Sequence, residues 1–258
     1  MAQARGKIAA EPPDAATTHF GNRTVVRADK TGLVQGVFES VAARYDLMND
    51  LMSLGAHRLW KRALIDWLKP RPGRHHLDLA GGTGDIAFRY LDAGGSRVSV
   101  LDISAAMLAV GRRRAARRRD RAKIAWLQGD AERLPFGDAA VDSITIAFGI
   151  RNCTDIEAVI AEAHRVLKPG GRFLCLEFSR LALPGMADLY ETYSARVIPR
   201  LGALVARDRE AYVYLVESIR RFPDQQCFAD LIEAGGLGRV TWRNLSGGIA
   251  ALHSAWRI

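Results

Sequence analysis

A carboxylate just ahead of a run of glycines, with a second carboxylate closing the next apolar run, marks the place in this chain best suited to hold a small charged ligand. Asp78 lies in the apolar run that begins at His76; Gly81, Gly82, Thr83 and Gly84 follow, and Asp102 with Ile103 ends the next run. Glycines at such a turn take positive φ and let backbone approach a ligand, and the helix that follows aims its first amides at the same point. Gly82-x-Gly84-x-x-Ala87, with an acid about 20 residues on, also satisfies the dinucleotide pattern. Asp78 weighs against that reading, since it would repel a pyrophosphate and suits a cation. Asp130 and Ala131 follow a third apolar run, and Ala147 closes a fourth. Arg151 and Asn152, just past it, are hydrogen-bond donors suited to an oxyanion; the competing role for Arg151 is a clamp on a carboxylate such as Asp155. Tyr45, Asp46 and His57 are the candidates for moving a proton, His57 having the most suitable ordinary pKa. Cys153, Cys175 and Cys227 are odd in number and lack C-x-x-C spacing, which supports neither a disulfide framework nor a zinc site.

The elements that must position these groups read as alternating strands and helices. His76 to Ile103 is a strand, a glycine turn, a helix and a parallel strand. Ser104 to Arg114 reads as a helix capped by Ser104, Lys123 to Leu127 as the third strand, Val141 to Ala147 as the fourth, Asp155 to Val166 as a helix, and Arg172 to Glu177 as the fifth strand. Gly238 to Asn244 and Ile249 to Trp256 form a closing hairpin that supplies the one antiparallel strand. Ahead of this core, residues 34–69 space Val37, Phe38, Val41, Tyr45 and Met48, then Leu59, Trp60, Leu64 and Trp67, as two amphipathic helices that cover one edge of the fold. Residues 181–236 form an insertion whose Met186, Leu189, Tyr190, Tyr193 and Val197 recur at helical spacing, a lid with an apolar inner face; ordinary helix packing accounts for some of them. Residues 1–19 lack periodicity and read as a flexible arm, leaving 20–258 as one domain.

Asp78-x-Ala80-Gly81-Gly82-Thr83-Gly84 resembles the first motif of the class I methyltransferases, which bind S-adenosyl-L-methionine (SAM). The resemblance implies an α/β, Rossmann-like fold: a seven-stranded, mostly parallel sheet with an antiparallel last strand, carrying here an N-terminal helical cover and an internal helical lid. It also implies that Asp102 takes the ribose hydroxyls, that Asp130 and Ala131 meet the adenine, and that Ala147 stands where relatives often place a serine, which removes a side-chain hydrogen bond. Two longer strings narrow the family. Tyr45-Asp46-x-Met48-Asn49-x-x-Met52-Ser53-x-x-x-His57-x-x-Trp60 and the stretch from Arg165 through Lys168-Pro169-Gly170-Gly171 to Glu177-Phe178-Ser179 resemble the signatures of the ubiquinone/menaquinone biosynthesis C-methyltransferases. Taken singly, Trp60 reads as core and Asp46, Asn49 and Ser53 as helix caps. What the family resemblance implies is methyl transfer from SAM to a ring carbon of a polyprenyl benzoquinol or of demethylmenaquinol. A methyltransferase of RNA or another small molecule, and a non-catalytic SAM-binding protein, are the alternatives.

Composition is that of one globular enzyme. The 258 residues are 48% hydrophobic and 25% charged, with a net charge of +9. No apolar run approaches the roughly 20 residues of a membrane span, and no secretory core precedes the domain, so a cytoplasmic protein is expected. Arg112, Arg113, Arg114, Arg117, Arg118, Arg119, Arg121 and Lys123 spread around a helix end and project into solvent. With a polyprenyl substrate, they suit the inner face of an anionic membrane or other quinone-biosynthesis proteins better than nucleic acid. No metal is expected, and a homodimer is left open.

Overall fold

The computed structural model describes residues 17–41, 49–50, 53–180 and 209–258. The chain enters through a small hairpin, β1 (Thr17–Phe20) and β2 (Arg23–Val26), followed by α1 (Arg27–Val41) and α2 (His57–Leu68). The central units are β3 (His75–Leu79), α3 (Asp85–Asp92), β4 (Arg97–Asp102), α4 (Ala105–Ala115), β5 (Ile124–Gln128), β6 (Val141–Ala147), α5 (Ile156–Val166) and β7 (Leu167–Phe178). Then come α6 (Arg209–Arg221), α7 (Gln225–Ala234), β8 (Gly238–Leu245) and β9 (Ala250–Trp256).

The seven-stranded sheet runs in the order β5-β4-β3-β6-β7-β9-β8. Strands β5, β4, β3, β6 and β7 are parallel, and β9 enters antiparallel between β7 and β8. The chain starts in the middle at β3, winds outward to β5, then returns to β6 on the other side of β3. That reversal opens a crevice at the carboxyl ends of β3 and β6, where ligands of such sheets bind. Covering helices explain why β3 and β4 are buried along almost their whole length rather than at alternate residues. One apolar cluster, with Trp60, Leu64, Tyr90, Leu108 and Leu176, fills the face under α2, α3 and α4; a second, with Ile146, Ile160, Phe173 and Phe228, fills the face under α5 and α7.

Helix boundaries follow their caps. Ser104 accepts from Met107 N, Asp155 from Ala158 N and Asp224 from Cys227 N. Helix α2 stops where Lys69 turns left-handed at φ 55° before Pro70. Strand β7 starts five residues earlier than the apolar run suggests: Leu167 pairs with Val141, and the register shifts before Arg172 meets Ser143. The Pro169-Gly170-Gly171 stretch is therefore a bulge inside a strand rather than a turn before one, and a Cβ at Gly171 would sit 2.7 Å from the Lys168 carbonyl oxygen.

The amino-terminal elements also extend further than their sequence shows. Helix α1 begins seven residues ahead of Val34, through a polar first turn with no apolar spacing to reveal it. Strand pairing begins at Thr17, inside the segment whose composition reads as an arm. Long-range contacts hold it: the Phe20 ring stacks on Tyr214 at 4.2 Å, and Asn22 donates both its backbone N–H and its amide to Glu217 of α6.

Candidate functional site

The crevice is an open-mouthed cavity lined from the carboxyl ends of β3, β4, β5 and β6. Its floor is the β3–α3 turn. Ala80, Gly82 and Gly84 all have positive φ, 47°, 54° and 81°, so the backbone curls back on itself before α3. Gly84 accommodates the Trp126 ring, which a Cβ there would meet at 2.6 Å, and this packs the turn against β5. Ala80 is a non-glycine residue in the left-handed region, as is Phe148 (φ 59°) on the opposite lip; strain of this kind concentrates at functional sites.

Asp78 reaches the floor from β3. Its Oδ1 accepts from Thr145 Oγ1 at 3.0 Å, and its buried Oδ2 has no partner among the described residues. Thr145 is held in turn by His76 Nε2, and His76 Nδ1 meets Ser143 Oγ, both at 2.9 Å. Burial keeps His76 neutral, lowering its pKa to about 3, and pushes the Asp78 carboxyl up to about 7 against the opposing bond from Thr145. Asp102 ends β4 with Oδ2 accepting from Gly82 N and Oδ1 from Ser104 N, both at 2.8 Å. Burial raises it to about 6, opposed by those two amides. Each of its oxygens keeps a further lone pair for a ligand hydroxyl.

Asp130 and Ala131 line the cavity after β5, Asp130 also building the turn by accepting from Glu132 N. Ile103, Thr83, Ala147 and Gly149 complete the walls, and Thr31, Val34 and Phe38 of α1 and Lys61 of α2 close over them. Thus Asp78, Gly81, Gly82, Thr83, Asp102, Ile103, Asp130, Ala131 and Ala147 meet in one cavity, while Gly84 stands just behind it as the cap of α3. An unpartnered acid beneath a glycine turn, a second acid with spare lone pairs, and a third after the next strand fit the cationic and hydroxyl groups of SAM.

The candidate catalytic residues are arranged less as expected. Asn152 lines the cavity; its Oδ1 accepts from Tyr214 Oη at 3.0 Å and its Nδ2 points to the Phe148 carbonyl. Arg151 is not among the lining residues. Its Nη1 donates to Glu177 Oε1 and to Phe148 O, both at 2.7 Å, and its Nε donates to Ser218 Oγ. The clamp partner is therefore Glu177, on the neighbouring strand β7, and not Asp155, which caps α5 and pairs with Arg27. His57 is buried and turned to Asp50, 2.8 Å away, with burial lowering its pKa, so it is not brought to the cavity; Lys61, one turn further along α2, is. Tyr45 and Asp46 lie outside the described residues. Cys153, half-buried, lines the cavity; desolvation raises its thiol pKa, which disfavours a thiolate nucleophile.

The arginine run does not all face solvent. Arg114 Nη1 donates to Thr83 Oγ1 at 2.8 Å, and Arg118 is gripped by Asp92 and Asp120; both guanidinia lie over the Phe88 ring. Sequence reasoning passed over Lys61, Glu132 and Thr31. Lys61 carried a readable signal, since it lies four residues after His57 on the same helix face.

A model of the ubiE/COQ5 methyltransferase family matches residues 23–257. The chain is 58% identical over 248 residues to the ubiquinone/menaquinone biosynthesis C-methyltransferase UbiE of Paracoccus denitrificans (strain Pd 1222), covering 96% of this chain and 99% of that protein. It is 57% identical over 242 residues to the protein of the same description from Acidiphilium cryptum (strain JF-5), covering 94% and 97%. Among solved structures, a SAM-dependent methyltransferase from Thermotoga maritima is similar at TM-score 0.61 and 18% identity, over 87% of this chain and all of that one. Geranyl diphosphate C-methyltransferase from Streptomyces coelicolor A3(2), in complex with S-adenosyl-L-homocysteine, is similar at TM-score 0.57 and 17% identity, over 78% of this chain and 77% of that one. These structural likenesses show the class I methyltransferase fold.

Proposed function

Because the chain belongs to the ubiE/COQ5 methyltransferase family, we propose a role for each part of the cavity in the reaction that this membership brings. The protein is a SAM-dependent C-methyltransferase of ubiquinone/menaquinone biosynthesis. SAM, when bound, supplies an electrophilic methyl group on a sulfonium.

The chain's own residues orient that group and prepare the acceptor. Asp78 faces the cationic end of the methionine moiety with its unpartnered Oδ2, and the Thr145 and His76 hydroxyl–imidazole chain keeps the carboxylate from turning away. Asp102 accepts the ribose hydroxyls, while Asp130 and the Ala131 backbone meet the adenine. Ala147 contributes only a methyl to the wall. The acceptor ring, a polyprenyl benzoquinol or demethylmenaquinol, lies at the lip formed by Phe148, Gly149 and Asn152. A quinol carbon becomes nucleophilic when a neighbouring hydroxyl loses its proton, so the site needs a donor to the resulting oxyanion. Asn152 supplies that donor, and Arg151 acts through it by holding the Phe148 carbonyl and the Glu177 carboxylate behind it. Tyr45 and Asp46 remain the candidates for accepting the proton.

The observation that carries this reading is the convergence of Asp78, Asp102 and Asp130 from three successive strand ends on one cavity beneath the glycine turn. Titration calorimetry with SAM, followed by turnover of a short-chain quinol, tests it: saturable binding lost in Asp102→Ala and methylated quinol product are expected. Absence of SAM binding by the folded wild type would overturn it.

The tail of the acceptor is a bilayer molecule, and the exposed Arg112, Arg113, Arg117, Arg119 and Arg121 provide a cationic surface for contact with anionic lipid. No helix among the described residues is long and apolar enough to cross a membrane.

A further inference from the structure

Charge in the cavity is lopsided. The lining includes five carboxylates, Asp78, Asp85, Asp102, Asp130 and Glu132, against one cationic side chain among the described residues, Lys61. SAM has two cationic centres, which those acids suit, and one carboxylate, which they repel. A ligand with that pattern requires a cation at a single point of the wall, and Lys61 is the one available.

Its placement supports the same conclusion. Lys61 projects from α2, a helix of the cover rather than of the sheet, and its side chain is 5% exposed. Its Nζ donates to Asp85 Oδ2 at 2.9 Å, and Asp85 Oδ1 accepts from Arg89 Nε at 3.1 Å. An ammonium carries three N–H donors, and among the described residues Lys61 has Asp85 alone as a partner, so two donors remain. Asp85 is the first residue of α3, directly after the glycine turn, which fixes the ammonium beside the first turn of that helix. A buried ion pair gains the fold little over apolar side chains of similar volume, so its presence in the cavity wall calls for a use other than stability.

We propose that Lys61 binds the α-carboxylate of SAM, with Asp85 as the residue that positions it. The inference rests on SAM as the ligand of this cavity and adds to it the group that distinguishes the amino-acid end of the cofactor. It also gives the helical cover a share in cofactor binding: α2 must be docked on α3 for the carboxylate to be held.

Decarboxylated SAM, which keeps the sulfonium, the amine and the adenosine but lacks the carboxylate, separates this contact from every other. Calorimetry on the wild type, Lys61→Met and Lys61→Arg with both ligands, beside melting temperatures, forms a cycle. The wild type is expected to prefer SAM over decarboxylated SAM by about tenfold or more, the effect of one charge-assisted contact. Lys61→Met should lose that preference by weakening SAM alone, and Lys61→Arg should retain part of it. Asp85 keeps Arg89 in the methionine variant, so the fold is expected to persist. Equal weakening of both ligands, or an unchanged preference, overturns the assignment. So does a wild type that binds both ligands alike, a result that leaves SAM itself as the ligand; failure of the wild type to bind SAM would instead remove the cofactor reading and this one together. If Lys61→Met does not fold, the wild type and Lys61→Arg decide by the same preference.

Discussion

Asp78 is held at a carboxyl pKa of about 7, with burial as the largest cause. Because this folded value lies above the ordinary carboxylate value, the contribution to folding is present at acid pH and is lost as pH rises through about 7. Binding a cation favours the ionised form, so SAM affinity should move the other way, rising with pH by up to about tenfold per unit below 7 and levelling above it. Calorimetry from pH 5.5 to 8.5 checks this, and a flat profile would remove Asp78 from the cationic end. Asp78→Asn should accordingly raise the melting temperature of the ligand-free protein at pH 8 while weakening SAM, the trade expected where a site stores an uncompensated charge. Arg151 differs, because its charge is already compensated. Arg151→Ala leaves Glu177 buried without its partner and should cost about 3–5 kcal/mol of stability in denaturant titrations. Adding Glu177→Gln should recover part of that loss; no recovery would mean that the pair is not the source.

At the scale of elements, the residues expected at helical spacing from Met186 to Val197 lie outside the described ones; α6, which follows them in the chain, is tied to the rest by Tyr214 to Asn152, Phe20 stacked on Tyr214, Glu217 to Asn22 and Ser218 to Arg151. Tyr214 is thus placed between the amino-terminal hairpin and the amide proposed to meet the acceptor. Since its hydroxyl donates to Asn152 Oδ1, the amide is turned with Nδ2 away from α6. Tyr214→Phe removes that instruction but keeps the stacked ring, and should lower kcat for the quinol by about tenfold, the value of one hydrogen bond, with SAM affinity unchanged. Parallel losses in kcat, SAM affinity and melting temperature would make the hydroxyl a packing feature only. The element scale also separates what was legible from what was not. The strands, the glycine turn and the caps at Ser104 and Asp155 are local patterns, and β6 at Val141–Ala147 matches its apolar run residue for residue. Glu177 lies 26 residues from Arg151, and Glu217 195 residues from Asn22; nothing in either local sequence announces partners that only the tertiary fold brings together. Lys61 was legible from its position four residues after His57, but only once α2 is read for its polar positions as well as its apolar face.

For the whole molecule, the net charge of +9 is not spread evenly in its availability. Arg114 and Arg118 are folded back onto Thr83, Asp92, Asp120 and Phe88, whereas Arg113, Arg117 and Arg119 are exposed on the same stretch. A run of like charges read from sequence counts all of them as surface; the fold divides them into structural and free. If the free ones approach anionic lipid, each contributes about 1 kcal/mol, so replacing Arg113, Arg117 and Arg119 together by Gln should reduce the partition onto anionic vesicles by roughly 100-fold. Raising salt should erase much of the difference, because exposed charges are screened within about 10 Å at 0.1 M. Turnover of a soluble short-chain quinol should be unaffected, since none of the three lines the cavity. Arg118→Gln provides the contrast: it should lower the melting temperature by releasing Asp92 and Asp120, with little change in vesicle binding. Sedimentation with vesicles of graded anionic content measures both variants side by side. If the triple variant sediments like the wild type, the exposed arginines are a solvated helix end and the lipophilic acceptor is met by another surface.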